Sequence, residues 1–265
     1  MLEPAAGVAD MNAPRNRTDM RRAMVILPGV FTFGSLFFGV WSIVAGTRGE
    51  FTQAAWCIGA CVLLDSVDGA LARMTRTDTA FGAELDSLVD AVSFGVAPAL
   101  LAYFHTYQGS DWGWLLSFWF VAAAVLRLAR FNVGQAGRAK SQFVGLPSPG
   151  AAIALATYFP FTQTPLFQRH LAGLWPSSVG LGVLVIACSM LMVSHVSYPC
   201  WPRLGVRSAK EMLSLAVAIV AVMGVLLVPE SFVFLFAAGY IAFGAARAGV
   251  LGVLGHRRAD PPQRP

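Results

Sequence analysis

The feature that most constrains this chain is a succession of apolar segments near twenty residues long, separated by short polar or basic connections. That length is what an α-helix needs to cross the ~30 Å hydrocarbon core of a bilayer, where backbone N–H and C=O groups must be satisfied internally. Eight candidate spans follow, roughly 24–46, 52–73, 82–107, 112–132, 147–164, 177–195, 210–228 and 231–254. The fifth is the weakest, because Pro147, Pro149, Pro160 and Pro165 crowd it and part of its backbone must find partners on neighbouring helices. Composition agrees: 56% of residues are hydrophobic and 12% charged, against ~45–50% and ~25% in soluble domains. The expected fold is an all-α polytopic membrane bundle of about eight transmembrane helices, with no second domain.

Charge sets the orientation. With an even number of spans both termini lie on one side, and placing them in the cytoplasm puts 17 of the 19 Lys and Arg inside, leaving only Arg48 and Arg169 outside. The net charge of +5 is therefore topological, and with no basic block interleaved with aromatics nucleic acid is not expected as a partner. Trp112, Trp114, Trp119 and Trp175 fall near outer span edges, where amphipathic rings anchor at the interface. Residues 1–23 read as a basic cytoplasmic tail rather than a signal peptide, because the first apolar run is too long for a cleavable segment. The Arg- and Pro-rich residues 255–265 read as a disordered tail. Cys57, Cys61, Cys188 and Cys200 have no His nearby and read as packing residues.

Ionisable groups within a membrane are costly and mark function. Asp65 and Asp68 are spaced i,i+3 and Asp86 and Asp90 i,i+4, so each pair projects from one face of its own helix, and an antiparallel hairpin can bring the pairs together. Four carboxylates so close repel unless a cation neutralises them, and all-oxygen ligation favours Mg²⁺, Mn²⁺ or Ca²⁺ over zinc. Two such ions can clamp a diphosphate. Gly69 and Gly82 leave room for a ligand against backbone, and Arg73 can offer its planar fork to phosphate. Because the connection carrying Arg73 and Arg76 is cytoplasmic in this topology, the site is expected near the inner leaflet. Two other readings of the carboxylates are structural ion pairs with interior bases and ion-coupled transport. Transport does not account for Gly69, Ala72, Arg73 and Gly82.

The spacing Asp65-x2-Asp68-Gly69-x2-Ala72-Arg73-x8-Gly82-x3-Asp86-x3-Asp90 resembles the signature of the CDP-alcohol phosphotransferases. Eight fixed positions match by chance on the order of 10⁻⁸ per chain of this length. The resemblance implies that Asp65, Asp68 and Asp86 bind metal, that Asp90 also lies at the metal and acts as general base, and that Gly69, Ala72, Arg73, Gly82 and Thr79 contact the CDP moiety. It further implies a core over 24–202, two additional C-terminal helices over 203–254, a divalent cofactor (Mg²⁺ or Mn²⁺) and a homodimer in the inner membrane with its site facing the cytoplasm.

Beyond the signature, Ser93-Phe94-Gly95-Val-Ala-Pro98, Arg127-Leu-Ala-Arg130-Phe131-Asn132 and Gly145-Leu-Pro147-Ser148-Pro149 resemble the phosphatidylserine synthases of that family. This implies transfer of a phosphatidyl group from CDP-diacylglycerol to L-serine, releasing CMP. A serine carboxylate needs cationic partners, and among Arg127, Arg130, Arg138 and Lys140 the better candidates are Arg130 and Lys140. The alternative acceptors are glycerol 3-phosphate and inositol phosphate. One departure stands at the start: Gly29 and Ser35 replace two Asn of the related opening Pro-Asn-x2-Thr-x2-Asn, leaving Thr32 in place.

Overall fold

Helices α1 (Arg15–Thr47) and α2 (Phe51–Thr75) open the computed structural model, which describes residues 15–75, 80–135, 143–173, 176–198, 224–225 and 227–258. Between them Gly49 takes φ 77°, a left-handed conformation that glycine enters without a Cβ penalty. The reversal is closed by Arg48 N–H to Ala45 O at 3.1 Å and Glu50 N–H to the same oxygen at 3.0 Å. The two helices then pack along their length. Residues 15–23, expected as tail, continue α1 outward; no Gly or Pro interrupts them.

The next span, Phe81–Tyr107, is one continuous apolar helix with two widened turns. It comprises α3 (Ala80–Asp90), a π-helical turn at Ala91–Val96, α4 (Ala97–Ala102) and a second π turn at Tyr103–Tyr107. Pro98 explains the first. It has no N–H, and its ring would collide with the carbonyl four residues back in a regular α-helix. The ladder slips by one residue, so that Ala97 N–H reaches Val92 O. The widened turn starts directly after Asp90 and buries Ser93, Phe94 and Gly95.

Helix α5 (Gly113–Gln135) packs against that turn and against α8 (Ser177–Val193). In α6 (Ser148–Thr162) Ala151, Ala152, Ala154 and Ala156 are fully buried, and α2, α8 and α9 (Pro229–Arg258) all pack on it. The prolines of the fifth expected span bound this helix. Pro147 and Pro149 start it where an N–H has no helical partner, and Pro160 lies in its last turn. Gln168 Nε2 donates to Thr162 O at 2.8 Å from the short α7 (Pro165–His170), satisfying a carbonyl at its end. A two-residue antiparallel pairing of β1 (Phe143–Val144) with β2 (Ser197–Tyr198) ties the segment before α6 to the one after α8. Gly145, at φ 84°, passes so close to α8 that an added Cβ would lie 2.5 Å from Met192 O.

Among the described residues, five helices are long and apolar enough to cross a membrane: Gly29–Thr47, Phe51–Leu71, Phe81–Tyr107, Gly113–Val133 and Pro229–Arg247. They coincide with the first four and the last of the eight expected spans. The fifth and sixth are shorter apolar helices, α6 of 15 residues and α8 of 17. Most of the seventh lies outside the described residues. Phe33 (57% exposed) on α1 and Leu63 (69%) on α2 turn outward, as they do in helices that face lipid. Trp112, Trp114 and Trp119 at the start of α5 are exposed likewise, while Trp175 falls outside the described residues.

Candidate active site

The acidic residues come from two helices that the α1–α2 hairpin and the first π turn hold together. Carboxylate oxygens of Asp65 on α2 and of Asp86 and Asp90 on α3 all lie within 4.8 Å of one another. Asp68, one turn beyond Asp65, is 7% exposed and accepts a hydrogen bond from Thr32 Oγ1 of α1. It stands outside the group of three but within electrostatic range of Asp86 and Asp90. All four expected aspartates thus face one region.

At 4.8 Å and an effective dielectric of about 20, each pair of ionised carboxylates repels by about 3.5 kcal/mol. Opposite ligands of an octahedral Mg²⁺ stand about 4.2 Å apart. Around Ca²⁺ the same distance is about 4.6–5.2 Å, so oxygens that all lie within 4.8 Å of one another are at the separations of one hard divalent cation's ligands, and the residues present fit such an ion.

The surroundings are closely packed. Gly39 on α1 lies so close to the π turn that a Cβ there would be 2.8 Å from Ser93 Oγ. Ser35 carries the departure from the related opening: its hydroxyl meets Ser93 Oγ at 3.4 Å, its carbonyl accepts from Ser93 Oγ at 3.2 Å, and Cys61 Sγ donates to the same carbonyl at 3.2 Å. Gly29, the other departure, has open space around its Cβ position. Asn132 Nδ2 donates to Ser87 Oγ at 2.9 Å and ties α5 to α3 between Asp86 and Asp90.

Among the basic candidates the structure separates two neighbours. Arg130 is exposed and donates Nη1 to Val193 O, at the end of α8, at 2.5 Å. Arg127, which the sequence ranks behind it, is 7% exposed, donates Nη1 to Ser148 Oγ at 2.7 Å, and interacts electrostatically with Asp90. Its guanidinium lies 6.0 Å from the Phe131 ring centroid. Gly69 lies on α2 one residue past Asp68, and Gly82 on α3 one turn before Asp86. Ala72 and Arg73 belong to the last turn of α2, with side chains outside the described residues, as are Thr79 and Lys140 altogether.

Sequence reasoning missed Thr32, Ser148 and the electrostatic interaction of Arg127 with Asp90. The signal was present, because Thr32 sits in the opening motif and Arg127 and Ser148 in the two later ones. What the sequence lacked was depth: Arg127 and Arg130 are three residues apart on one helix, and only packing against α6 shows which of them turns inward.

Residues 25–193 match the profile described as CDP-alcohol phosphatidyltransferase. A CDP-diacylglycerol–serine O-phosphatidyltransferase of Helicobacter pylori is 36% identical over 177 residues, 66% of this chain and 73% of that protein. A protein of the same name from Mycobacterium leprae is 34% identical over 188 residues, 69% of this chain and 60% of that one. An archaetidylserine synthase of Methanothermobacter thermautotrophicus is 33% identical over 189 residues, 71% and 75% of the two chains.

Proposed function

We infer the reaction from one premise: the chain belongs to the CDP-alcohol phosphatidyltransferase family. The reaction is transfer of the phosphatidyl group of CDP-diacylglycerol to L-serine, giving phosphatidylserine and CMP. The observation that carries it is the convergence of Asp65, Asp86 and Asp90 inside the family-matched segment of a membrane protein. The serine acceptor is supported by relatives whose names specify serine as the alcohol.

In this reading Asp65, Asp68, Asp86 and Asp90 are the metal ligands. Bound Mg²⁺ or Mn²⁺ supplies positive charge and Lewis acidity to the diphosphate. Asp90 takes the proton of the serine hydroxyl as that oxygen bonds to the lipid-linked phosphorus, and the bond to the CMP oxygen breaks with its electron pair. Thr32 holds the Asp68 carboxylate in place through its hydroxyl. Gly69 and Gly82 let the cytidine diphosphate approach helix backbone, with Ala72, Arg73 and Thr79 on the same ligand. Arg130 and Lys140 meet the serine carboxylate; Arg130 spends one of its five donors on Val193 O.

The same reading places the site at the cytoplasmic face of the inner membrane, in an eight-span homodimer with both termini inside. The distribution of Lys and Arg over the eight spans supports the orientation. The test offers L-serine, glycerol 3-phosphate and inositol phosphate in parallel to the purified, Mn²⁺-loaded protein with CDP-diacylglycerol and identifies the lipid product. Phosphatidylserine alone is expected. A phosphatidylglycerol phosphate or phosphatidylinositol phosphate product would keep the chemistry and overturn the acceptor.

A further inference from the structure

Helix α1 meets the acidic region at two points one turn apart. Thr32 donates to Asp68, and three residues on the Ser35 carbonyl receives donors from two other elements. Ser93 Oγ of the π turn donates to it at 3.2 Å, and Cys61 Sγ of α2 donates to it at 3.2 Å. Ser35 Oγ also donates to Ser93 Oγ at 3.4 Å, so the two serines are joined through side chain and backbone together. Ser35, Cys61 and Ser93 are 2%, 0% and 0% exposed, and water cannot stand in for any of them.

Side chains on a helix lean toward its N-terminus, so the residue four positions on covers a carbonyl from the side. For Ser35 that residue is Gly39. A Cβ there would lie 2.8 Å from Ser93 Oγ and 3.2 Å from Ser93 Cα, so its absence is what lets the π turn reach the carbonyl. The two donors stand beside two of the aspartates. Cys61 is one turn before Asp65 on α2, and Ser93 is three residues after Asp90, in the turn that starts directly behind it. One carbonyl of α1 thus ties the turn next to Asp65 to the turn next to Asp90, whose carboxylates come from different helices and converge within 4.8 Å.

We propose that Ser93 is a positioning residue of the metal site, its bond to the Ser35 carbonyl holding Asp90 at the separation from Asp65 at which one cation takes both. The inference rests on the metal ligands proposed above. Ser93 touches neither ion nor substrate; it acts by fixing the slipped turn against α1, and Gly39 makes room for it. Loss of the hydroxyl frees that turn, so the Asp90 carboxylate is less closely held and the ion binds more weakly in a chain that still folds.

The test titrates Mn²⁺ into the purified full-length protein without substrates and reads the free ion by electron paramagnetic resonance, for wild type, Ser93→Ala and Phe120→Leu. Phe120 is fully buried in the separate cluster around α6 and α8, so shortening it lowers the melting temperature without touching the tie. Ser93→Ala is expected to raise the Kd for Mn²⁺ about two- to tenfold, the effect of one buried hydrogen bond. Phe120→Leu is expected to melt earlier and keep the wild-type Kd. A folded Ser93→Ala protein that binds Mn²⁺ like wild type, or an equal loss of affinity in Phe120→Leu, overturns the proposal. A wild type that binds Mn²⁺ but releases no CMP with serine refutes the reaction alone, and the titration still decides the role of Ser93. A wild type that binds no Mn²⁺ overturns the metal ligands and this inference together.

Discussion

Replacing Thr32 by Val removes one oxygen from a buried contact and keeps the side-chain shape. Thr32 and Asp68 are 6% and 7% exposed, so water cannot take over the lost donor. A hydrogen bond to a charged group contributes about 1.5–3 kcal/mol, and an outer partner that orients a ligating carboxylate typically changes metal affinity or activity by about 10–100-fold. Thr32→Val is therefore expected to raise the Mn²⁺ concentration for half-maximal CMP release by about 10–100-fold, while Thr32→Ser, which keeps the hydroxyl, stays within a few-fold of wild type. The assay is CMP release titrated with Mn²⁺ at saturating CDP-diacylglycerol and serine. A Thr32→Val protein that folds and titrates like wild type would refute the role given to Thr32 and weaken the assignment of Asp68 as a ligand.

Removing the cation with EDTA is expected to abolish CMP release, and Mg²⁺ or Mn²⁺ to restore it, as a carboxylate-only donor set requires; restoration by Zn²⁺ alone would contradict that. Gly39→Ala places a Cβ 2.8 Å from Ser93 Oγ, so it is expected to cost about 1–3 kcal/mol and lower the melting temperature, with activity falling because the π turn behind Asp90 shifts. Gly145→Ala combines φ 84° with a Cβ 2.5 Å from Met192 O and is expected to be more damaging than Gly39→Ala in the same melting assay. Single in-line displacement predicts inversion at phosphorus, checked with a stereochemically labelled CDP-lipid; retention would require a covalent intermediate.

Much of the site was legible because its chemistry is local in sequence. The i,i+3 and i,i+4 spacings of the aspartates name the helix faces, and the intervening glycines are where the proposed ligand would approach backbone. The convergence of Asp65, Asp86 and Asp90 follows once the two helices pair. Arg127 escaped because burial is a property of the packed bundle: α5 presents Arg127 to α6 and Arg130 to the end of α8, three residues apart. Among the described residues five of the eight expected spans are met at full length, and two others are shorter for a related reason. Apolar runs 147–164 and 177–195 have membrane-span composition, yet prolines and Ser194 trim their helices to 15 and 17 residues, and α6 is enclosed by other helices rather than by lipid. The π turn at Ala91–Val96 was not expected; Pro98, which has no N–H for a regular ladder, stood in the sequence as its cause, but the turn and its position against Asp90 needed the structure.

The central claim is tested most directly by CMP release from CDP-diacylglycerol in the purified, Mn²⁺-loaded protein and its Asp90→Asn variant, with and without L-serine. The account predicts serine-dependent release in the wild type and a loss of about 10²–10⁴-fold in the variant, the usual contribution of a general base. Serine-dependent release that survives intact in folded Asp90→Asn would contradict the role of Asp90, and absence of release from metal-loaded wild type would contradict the reaction itself.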